Sequence, residues 1–551
     1  MTKPNLRVIP LGGLGEIGRN MMLIEYGDDI IVVDVGLMFP EEEMLGVDLV
    51  IPDFTYLREH REKLRAVFLT HGHEDHVGAL PYFLREFNPP IYGATLTQGL
   101  VRVKLQEHRL LQKTDLHVVK PGDVIEAGVF TVEFFTVAHS IPDACGLIIR
   151  TPLGPLIHTG DFKIDHTPVM DQHTDLIRLA QIGAEGCLLL MADSTYAEQE
   201  GFTPSEQLVG EALRNILVNA KGRVIIATFA SLIARIQQVI DGAVFTHRKV
   251  FVTGRSMIDN VAMARQLEYL NVPNGVLIGV EEMRNTPKEK LVVVTTGSQG
   301  EPTSALTKMA NGDHRHINIE KGDTIVLSAT AIPGNEQAVY RNVDNLFRLG
   351  ADVMYNRVQN IHVRGHASRE ELKIIQGLLQ PEYFVPIHGE YRHMVVHAKL
   401  AESVGVPEGN AFVMTDGDVL EINEDAAFIS GRVPASYVYV DGLGIGDVDQ
   451  HILRDRAHLS TDGVVVAITT VDKQTGKLAA PTEILSRGFV DVEEREDLLE
   501  RSKQVVAKAL EGAEHYAEFG DVNVRVRDAL SKFLYDETRR RPMVLTVTVE
   551  V

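Results

Sequence analysis

Cysteine is nearly absent: Cys145 and Cys187 are the only two in 551 residues. Neither lies in a CxxC, so a disulfide scaffold is excluded. No apolar stretch approaches the ~20 residues that would span a bilayer. The N-terminal MTKPNLRVIPLGGLG has no basic region followed by an apolar run, so no signal peptide is read and a cytoplasmic location, away from membranes, is expected. Internal repeats and low-complexity segments are also missing. Positive charge is scarce: the formal net charge is −22, which at face value argues against a nucleic-acid partner. What remains is an ordinary composition, 44% apolar and 24% charged, in a chain long enough for several domains and a large core.

The acidic charge is unevenly spread. Residues 206–364 hold 18 Lys and Arg against 15 Asp and Glu, a net of +3, which leaves −25 for the rest. Such a module could hold a polyanion. Before it, β-branched apolar runs such as DIIVVDVG, FTVEFFTVAH and PLIHTGD alternate with turn signals and read as sheet. From about Pro204 helix and strand alternate, as in GRVIIATFA, KVFVTG and LVVVTTG, the rhythm of a parallel α/β sheet. Beyond about Ile445 a joining stretch leads to GVVVAITTV, a helical VEEREDLLERSKQVVAKALEGA and a final MVLTVTVEV, which suit a small α+β domain.

Gly13-Leu-Gly15-Glu-Ile-Gly18 matches a dinucleotide fingerprint, with Asp34 downstream. That site needs a helix to begin at the glycines. The following NMMLIEY reads as a strand, so a tight glycine turn is expected instead.

The chemistry concentrates in THGHEDHVGALP, residues 70–81. A loop after the strand AVFLT that carries His71, His73, Asp75 and His76 can aim imidazoles and a carboxylate at two adjacent points, as catalytic metal sites require. Four ligands cannot complete two centres. Polar residues at other strand ends supply candidates: Asp34, His139, Asp161 and His388.

HGHEDH, His139, the TGD at Asp161 and the HGE at His388 resemble the metallo-β-lactamase superfamily, and more narrowly its β-CASP nuclease branch. PLGGLGEIGRN, FPEEE, AHSIPD, TGDFK, DST, GRSM, TTGSQGEP, IPGNE, GHAS and IHGEYRH resemble, in order, the signatures of the bacterial ribonuclease J family. The likeness covers about residues 6–440; the C-terminal domain is similar in position and size only. It implies an αββα sandwich at 1–205 and 365–440, an inserted parallel α/β β-CASP domain at 206–364, a linker at 441–460 and an α+β domain at 461–551.

The resemblance also implies roles. His71, His73 and His139 hold one zinc; Asp75, His76 and His388 hold a second; Asp161 bridges them, and Asp34 orients a ligand histidine. That makes two zinc ions per subunit, with manganese as the alternative. A water activated by both metals attacks phosphorus, while His366, paired with Asp193, is general acid toward the leaving 3′ oxygen. Glu74 stays outside the ligand set. His362, Val363, Arg364, Gly365 and His366 form the phosphate-binding loop, with Ser256 and Asn335 as further contacts. Asp48 and Asp441 match a structural calcium site of some members. Three positions depart from the family: Arg364 stands where Ser is usual, and Leu232 and Ala234 where Asn and His are expected.

The implied activity is hydrolysis of single-stranded RNA, 5′→3′ from a 5′-monophosphate and also internally, in mRNA decay and rRNA maturation. The implied assembly is a homodimer or homotetramer, with other RNA-decay enzymes as further partners. A DNA-directed β-CASP nuclease is the main rival. A non-catalytic RNA-binding subunit would be expected to have lost ligands, and here all are present.

Overall fold

The computed structural model describes residues 5–41, 43–170, 172–331, 335–355, 361–472, 478–491, 495–511 and 519–551. Parts of three expected features, 42 of FPEEE, 332–334 of IPGNE, and 492–494 and 512–513 of the predicted helix, lie outside these. The chain divides into two compact units, Met1–Phe39 with Leu49–Val438, and Pro40–Asp48 with Tyr439–Val551.

The first unit contains two sheets face to face. One has eight strands, in spatial order Ala427–Arg432, Asp418–Ile422, Leu6–Gly12, Met21–Tyr26, Asp29–Val33, Leu64–Phe68, Ile91–Ala94 and Leu116–Val119. The other has six: Tyr383–Ile387, Leu189–Asp193, Gly154–His158, Cys145–Thr151, Phe130–Thr136 and Val124–Ala127. Strand alternation decides which side chains meet. Val8, Ile24, Ile31 and Phe68 of the first sheet pack on Val132, Phe134, Leu147 and Met191 of the second. The other face of the six-stranded sheet (Phe135, Ile148, Ile157, Leu190) is covered by Leu179, Leu372 and Ile375 from flanking helices. Helix Thr95–Glu107 covers the outer strands of the larger sheet. The result is the expected αββα sandwich.

Between Asp193 and His388 the chain leaves this sandwich to build a five-stranded sheet ordered Lys249–Thr253, Leu291–Thr295, Val224–Ala227, Thr324–Leu327 and Asp352–Met354, every pair parallel. Its strands read as continuous apolar runs because both faces are buried: Val224 and Ile226 belong to one core, Ile225 and Ala227 to another. All five carboxyl ends therefore open on one edge.

In the second unit the strands Leu478–Arg487, Val464–Val471 and Met543–Glu550 form a sheet. Its core includes Val465, Ala467, Leu498, Val506, Val526 and Leu530. Most of the stretch expected as a linker, from 450 on, belongs to helix Gln450–Asp462, which runs on into the C-terminal domain. Helix Phe519–Thr538 has no counterpart among the expected elements, and its VNVRVRD alternates like a strand. Yet Val522, Val526, Leu530 and Leu534 recur every fourth residue and are all buried.

Gly13, Gly15 and Gly18 all have positive φ, at 92°, 83° and 119°, and no helix starts there. Leu14–Gly15 instead pairs in parallel with Gly389–Glu390, directly after His388. Buried Arg19 locks the turn, with Nε 2.8 Å from Glu16 Oε1 and Nη2 2.7 Å from Asp416 Oδ2. Burial pushes the Asp416 carboxyl up, against Arg19 and with Glu16 beside it, to about 7.

Candidate metal centre and cleft

Six strands deliver the polar residues. Asp29–Val33 and Leu64–Phe68 run parallel in one sheet; Gly154–His158, Leu189–Asp193 and Tyr383–Ile387 run parallel in the other. Phe130–Thr136 shares their direction through two antiparallel pairings. Asp34, the loop His71–His76, Asp161, Asp193, His388 and His139 thus follow carboxyl ends on the same rim. Asp34 and His388 each turn there with φ of 61° and 51°, a left-handed conformation that redirects the side chain.

Two sets of donor atoms result, His71, His73, His139 and Asp161, and Asp75, His76, Asp161 and His388, each set lying within 4.8 Å of one another. Asp161 Oδ2 faces both. It lies 3.5 Å from His71 Nε2 and 3.8 Å from His139 Nε2, and 3.2 Å from His76 Nε2 and 3.5 Å from His388 Nε2. His73 presents Nδ1, 3.0 Å from His71 Nε2.

Three of the ligand rings are held from behind. His76 Nδ1 donates to Asp34 Oδ2 at 2.8 Å. Asp34 also accepts the Thr70 N–H and hydroxyl at 2.8 and 2.7 Å. His139 Nδ1 donates to the Gly365 carbonyl at 2.7 Å. His388 Nδ1 donates to Thr195 Oγ1 at 2.7 Å, and that hydroxyl passes to Asp193 Oδ1 at 2.7 Å. Such partners fix the tautomer and leave the other nitrogen for a metal. Burial drives the His73 imidazole down to about 4. For His76, burial is outweighed by the carboxylates of Asp161, Asp75 and Asp34, which raise it to about 10. Asp161 Oδ1 is buried with no hydrogen-bond partner. A buried carboxylate with an idle oxygen, ringed by imidazole nitrogens, fits a pair of divalent ions and is costly otherwise.

Beside these sets His366 Nδ1 lies 2.7 Å from Asp193 Oδ2. Burial lowers the affinity of His366 for a proton, but Asp193 overrides it and the imidazole is raised from its usual range. Glu74 turns away to Lys104 at 2.6 Å.

The loop 361–366 is tied to the carboxyl edge of the parallel sheet: the Ile361 carbonyl accepts Ser328 Oγ at 2.6 Å and Arg235 Nη1 at 3.1 Å. His362 Nδ1 is buried without a partner. Val363 packs in the insertion's core, which leaves its backbone alone for a ligand. Arg364 is exposed, with its guanidinium 4.6 Å from the Tyr196 ring centroid. Ser256 and Asn335 stand at the N-termini of helices following Lys249–Thr253 and Thr324–Leu327, on the same edge. Leu232 is buried, and Ala234 lines a small cavity with His139 and Lys163.

Asp48 and Asp441 have other partners. Asp48 Oδ2 accepts the Gly442 N–H at 2.8 Å, and Asp441 lies 2.5 Å from Arg456 Nη2; neither enters a metal-ligand group among the described residues. Thr70, Thr195, Asn20 and Tyr196 were not singled out in the sequence. Thr70 and Thr195 were findable as hydroxyls flanking HGHEDH and Asp193. Asn20, which donates to the Asp75 carbonyl at 3.0 Å, comes from across the sheet. Among the described residues no helix is long and apolar enough to cross a membrane.

Comparison with known proteins covers nearly the whole chain. Residues 14–191 match the model of the metallo-β-lactamase superfamily, 221–346 the ribonuclease J β-CASP domain, 350–413 the Zn-dependent metallo-hydrolase RNA specificity domain, and 451–551 the ribonuclease J C-terminal domain. The last match extends the resemblance beyond residue 440. Ribonuclease J2 of Bacillus subtilis (strain 168) is 43% identical over 549 residues, 99% of each chain. Ribonuclease J 1 of Streptococcus pyogenes serotype M3 is 43% identical over 550 residues, 99% of this chain and 98% of that one. A crystal structure of a protein of unknown function from Enterococcus faecalis V583 superposes with a TM-score of 0.54 at 19% identity, over 76% of this chain and all of that one. That likeness speaks for the fold alone.

Proposed function

The chain belongs to the ribonuclease J family and is a ribonuclease of that type, and from this premise we propose that it degrades single-stranded RNA 5′→3′ from a 5′-monophosphate and also cuts internally, in mRNA decay and rRNA maturation. The observation that carries the proposal is the Asp193–His366 pair, 2.7 Å apart, beside two donor sets that share Asp161.

Zinc is the proposed ion at both sets, on imidazole-rich ligation, with manganese as the alternative. Two such ions would supply a water acidic enough to ionise near neutral pH and positive charge against the phosphoryl oxygens. The chain's own residues do the rest. Asp34, Thr195 and the Gly365 carbonyl hold His76, His388 and His139 in register. Asp193 occupies His366 Nδ1, so the proton His366 gives to the leaving 3′ oxygen sits on Nε2. The loop 362–366, with Ser256 and Asn335, takes the 5′-phosphate, and Arg364 adds a guanidinium suited to phosphate. Asp193, His366 and the metal ligands are the residues we assign to catalysis. The same proposal takes 1–205 with 365–440 as the hydrolase domain, 206–364 as the β-CASP domain and 461–551 as the C-terminal domain.

Assembly as a homodimer is proposed through the C-terminal sheet. Its edge strand Met543–Glu550 exposes Leu545, Val547 and Val549.

The test is metal-loaded protein on one RNA with a 5′-monophosphate, 5′-triphosphate or 5′-hydroxyl end, beside His76→Ala. Mononucleotide release favouring the monophosphate and lost in the variant supports the reading. Internal cuts indifferent to the 5′ end make the protein chiefly an endonuclease. Degradation of DNA but not RNA overturns the RNA assignment.

A further inference from the structure

Glu371 is fully buried, and its carboxylate is filled by backbone N–H groups from three separate parts of the chain. Oε1 accepts Ile164 N at 2.7 Å. Oε2 accepts Thr203 N at 2.7 Å and Ser368 N at 2.8 Å. Ile164 lies three residues after Asp161, Thr203 lies where the chain leaves the sandwich for the inserted sheet, and Ser368 lies two residues after His366. Capping helix Arg369–Leu379 accounts for the bond to Ser368. It does not account for the other two.

The knot continues from Thr203. Its hydroxyl donates to the His366 carbonyl at 2.8 Å and accepts from Ser368 Oγ at 2.8 Å. Next to it, buried Lys163 donates to the Pro204 carbonyl at 3.2 Å and pairs with Asp165 at 3.2 Å. The Lys163 N–H donates to the Ala138 carbonyl at 2.8 Å, beside His139. The entrance and exit of the insertion are thus fastened to the two loops that carry Asp161 and His139.

We propose that Glu371 is a positioning residue for His366: its carboxylate joins the His366 loop and the start of the insertion to the Asp161 loop, and so sets where His366 stands relative to the reacting phosphate. The inference rests on the reading of His366 as general acid given above. No second acceptor replaces Glu371, because three N–H groups converge on one carboxylate. A glutamine turns an NH2 toward at least one of them. The bonds then cannot all form, and the His366 loop shifts.

The experiment measures kcat, KM and bound metal for Glu371→Gln and for Thr203→Val, each in the parent and in a His366→Ala background, on 5′-monophosphorylated RNA. A misplacement of about 1 Å costs roughly 100-fold, so kcat is expected to fall about 10- to 100-fold with KM and bound metal little changed. In the His366→Ala background the same substitutions are expected to cost less than about twofold, since residues acting as one unit are non-additive. Thr203→Val, which removes only the hydroxyl holding the His366 carbonyl, carries the test if Glu371→Gln does not fold. An undiminished kcat, or an equal loss in both backgrounds, overturns the proposal. Full activity in His366→Ala alone would instead overturn the reading of His366.

Discussion

Replacing Gly365 with alanine perturbs the cleft at a single point. A Cβ built there would stand 2.7 Å from His139 Cε1, 3.0 Å from His139 Nδ1 and 3.0 Å from Ser140 Cβ. Carbon atoms in good contact sit about 3.5–4.0 Å apart, so something must retreat by roughly 0.8 Å. The backbone at Gly365 lies outside the left-handed region, so alanine adds no conformational strain and the collision is the whole effect. What yields is either the His139 ring or the loop, and in both cases the 2.7 Å bond from His139 Nδ1 to the Gly365 carbonyl is lost or stretched. Losing such a supporting bond typically weakens metal binding or activity about 10- to 100-fold. The loss should fall mainly on the set His71, His73 and His139, and less on Asp75, His76 and His388. Competition titration against a chromophoric chelator reads both affinities, and RNA cleavage reads the consequence. Two affinities within about twofold of the parent, with activity intact, would show that the cleft absorbs a methyl group at no cost and would refute the reasoning.

A chelator should abolish RNA cleavage, with zinc or manganese restoring it, while far-ultraviolet circular dichroism stays unchanged, because the ligands stand on strand ends of a core packed without them. Phe134→Ala, between the two sheets and fully buried, should cost about 3–5 kcal/mol in urea unfolding. The Asp416 carboxyl, at about 7 when folded against about 3.9 unfolded, binds its proton more tightly in the folded state. Stability from that proton is therefore present at about pH 4 and lost as pH rises through about 7; the melting temperature of Asp416→Asn should be flatter over that window. Val547→Lys should lower the sedimentation coefficient if the C-terminal sheet pairs two subunits, and an unchanged value would remove that proposal.

Much of this was legible because the relevant signals are local. Six apolar strands each end in a polar residue, and the loop 70–76 is dense enough in imidazole and carboxylate that metal chemistry follows from the residue types alone. The insertion announced itself by a change of rhythm near Pro204. Helix Phe519–Thr538 has no counterpart among the expected elements; its valines alternate over the first turns, and their four-residue spacing shows only over a longer window. The bond between Asp441 and Arg456 could not be foreseen, since the partner of a surface carboxylate depends on how the chain comes back.

The sequence by itself determined which groups are available: the ligand types, their placement at strand ends, and the alternation that buries one face of each strand. Only the tertiary structure decided how they work together. It made one oxygen of Asp161 face both donor sets, brought the Gly365 carbonyl to His139 across 226 residues, and added the distant N–H groups of Ile164 and Thr203 to the local one of Ser368 on Glu371. Strand and helix periodicity is written within a few residues. Which loop meets which across a sandwich is fixed by packing, and no short stretch of chain carries that information.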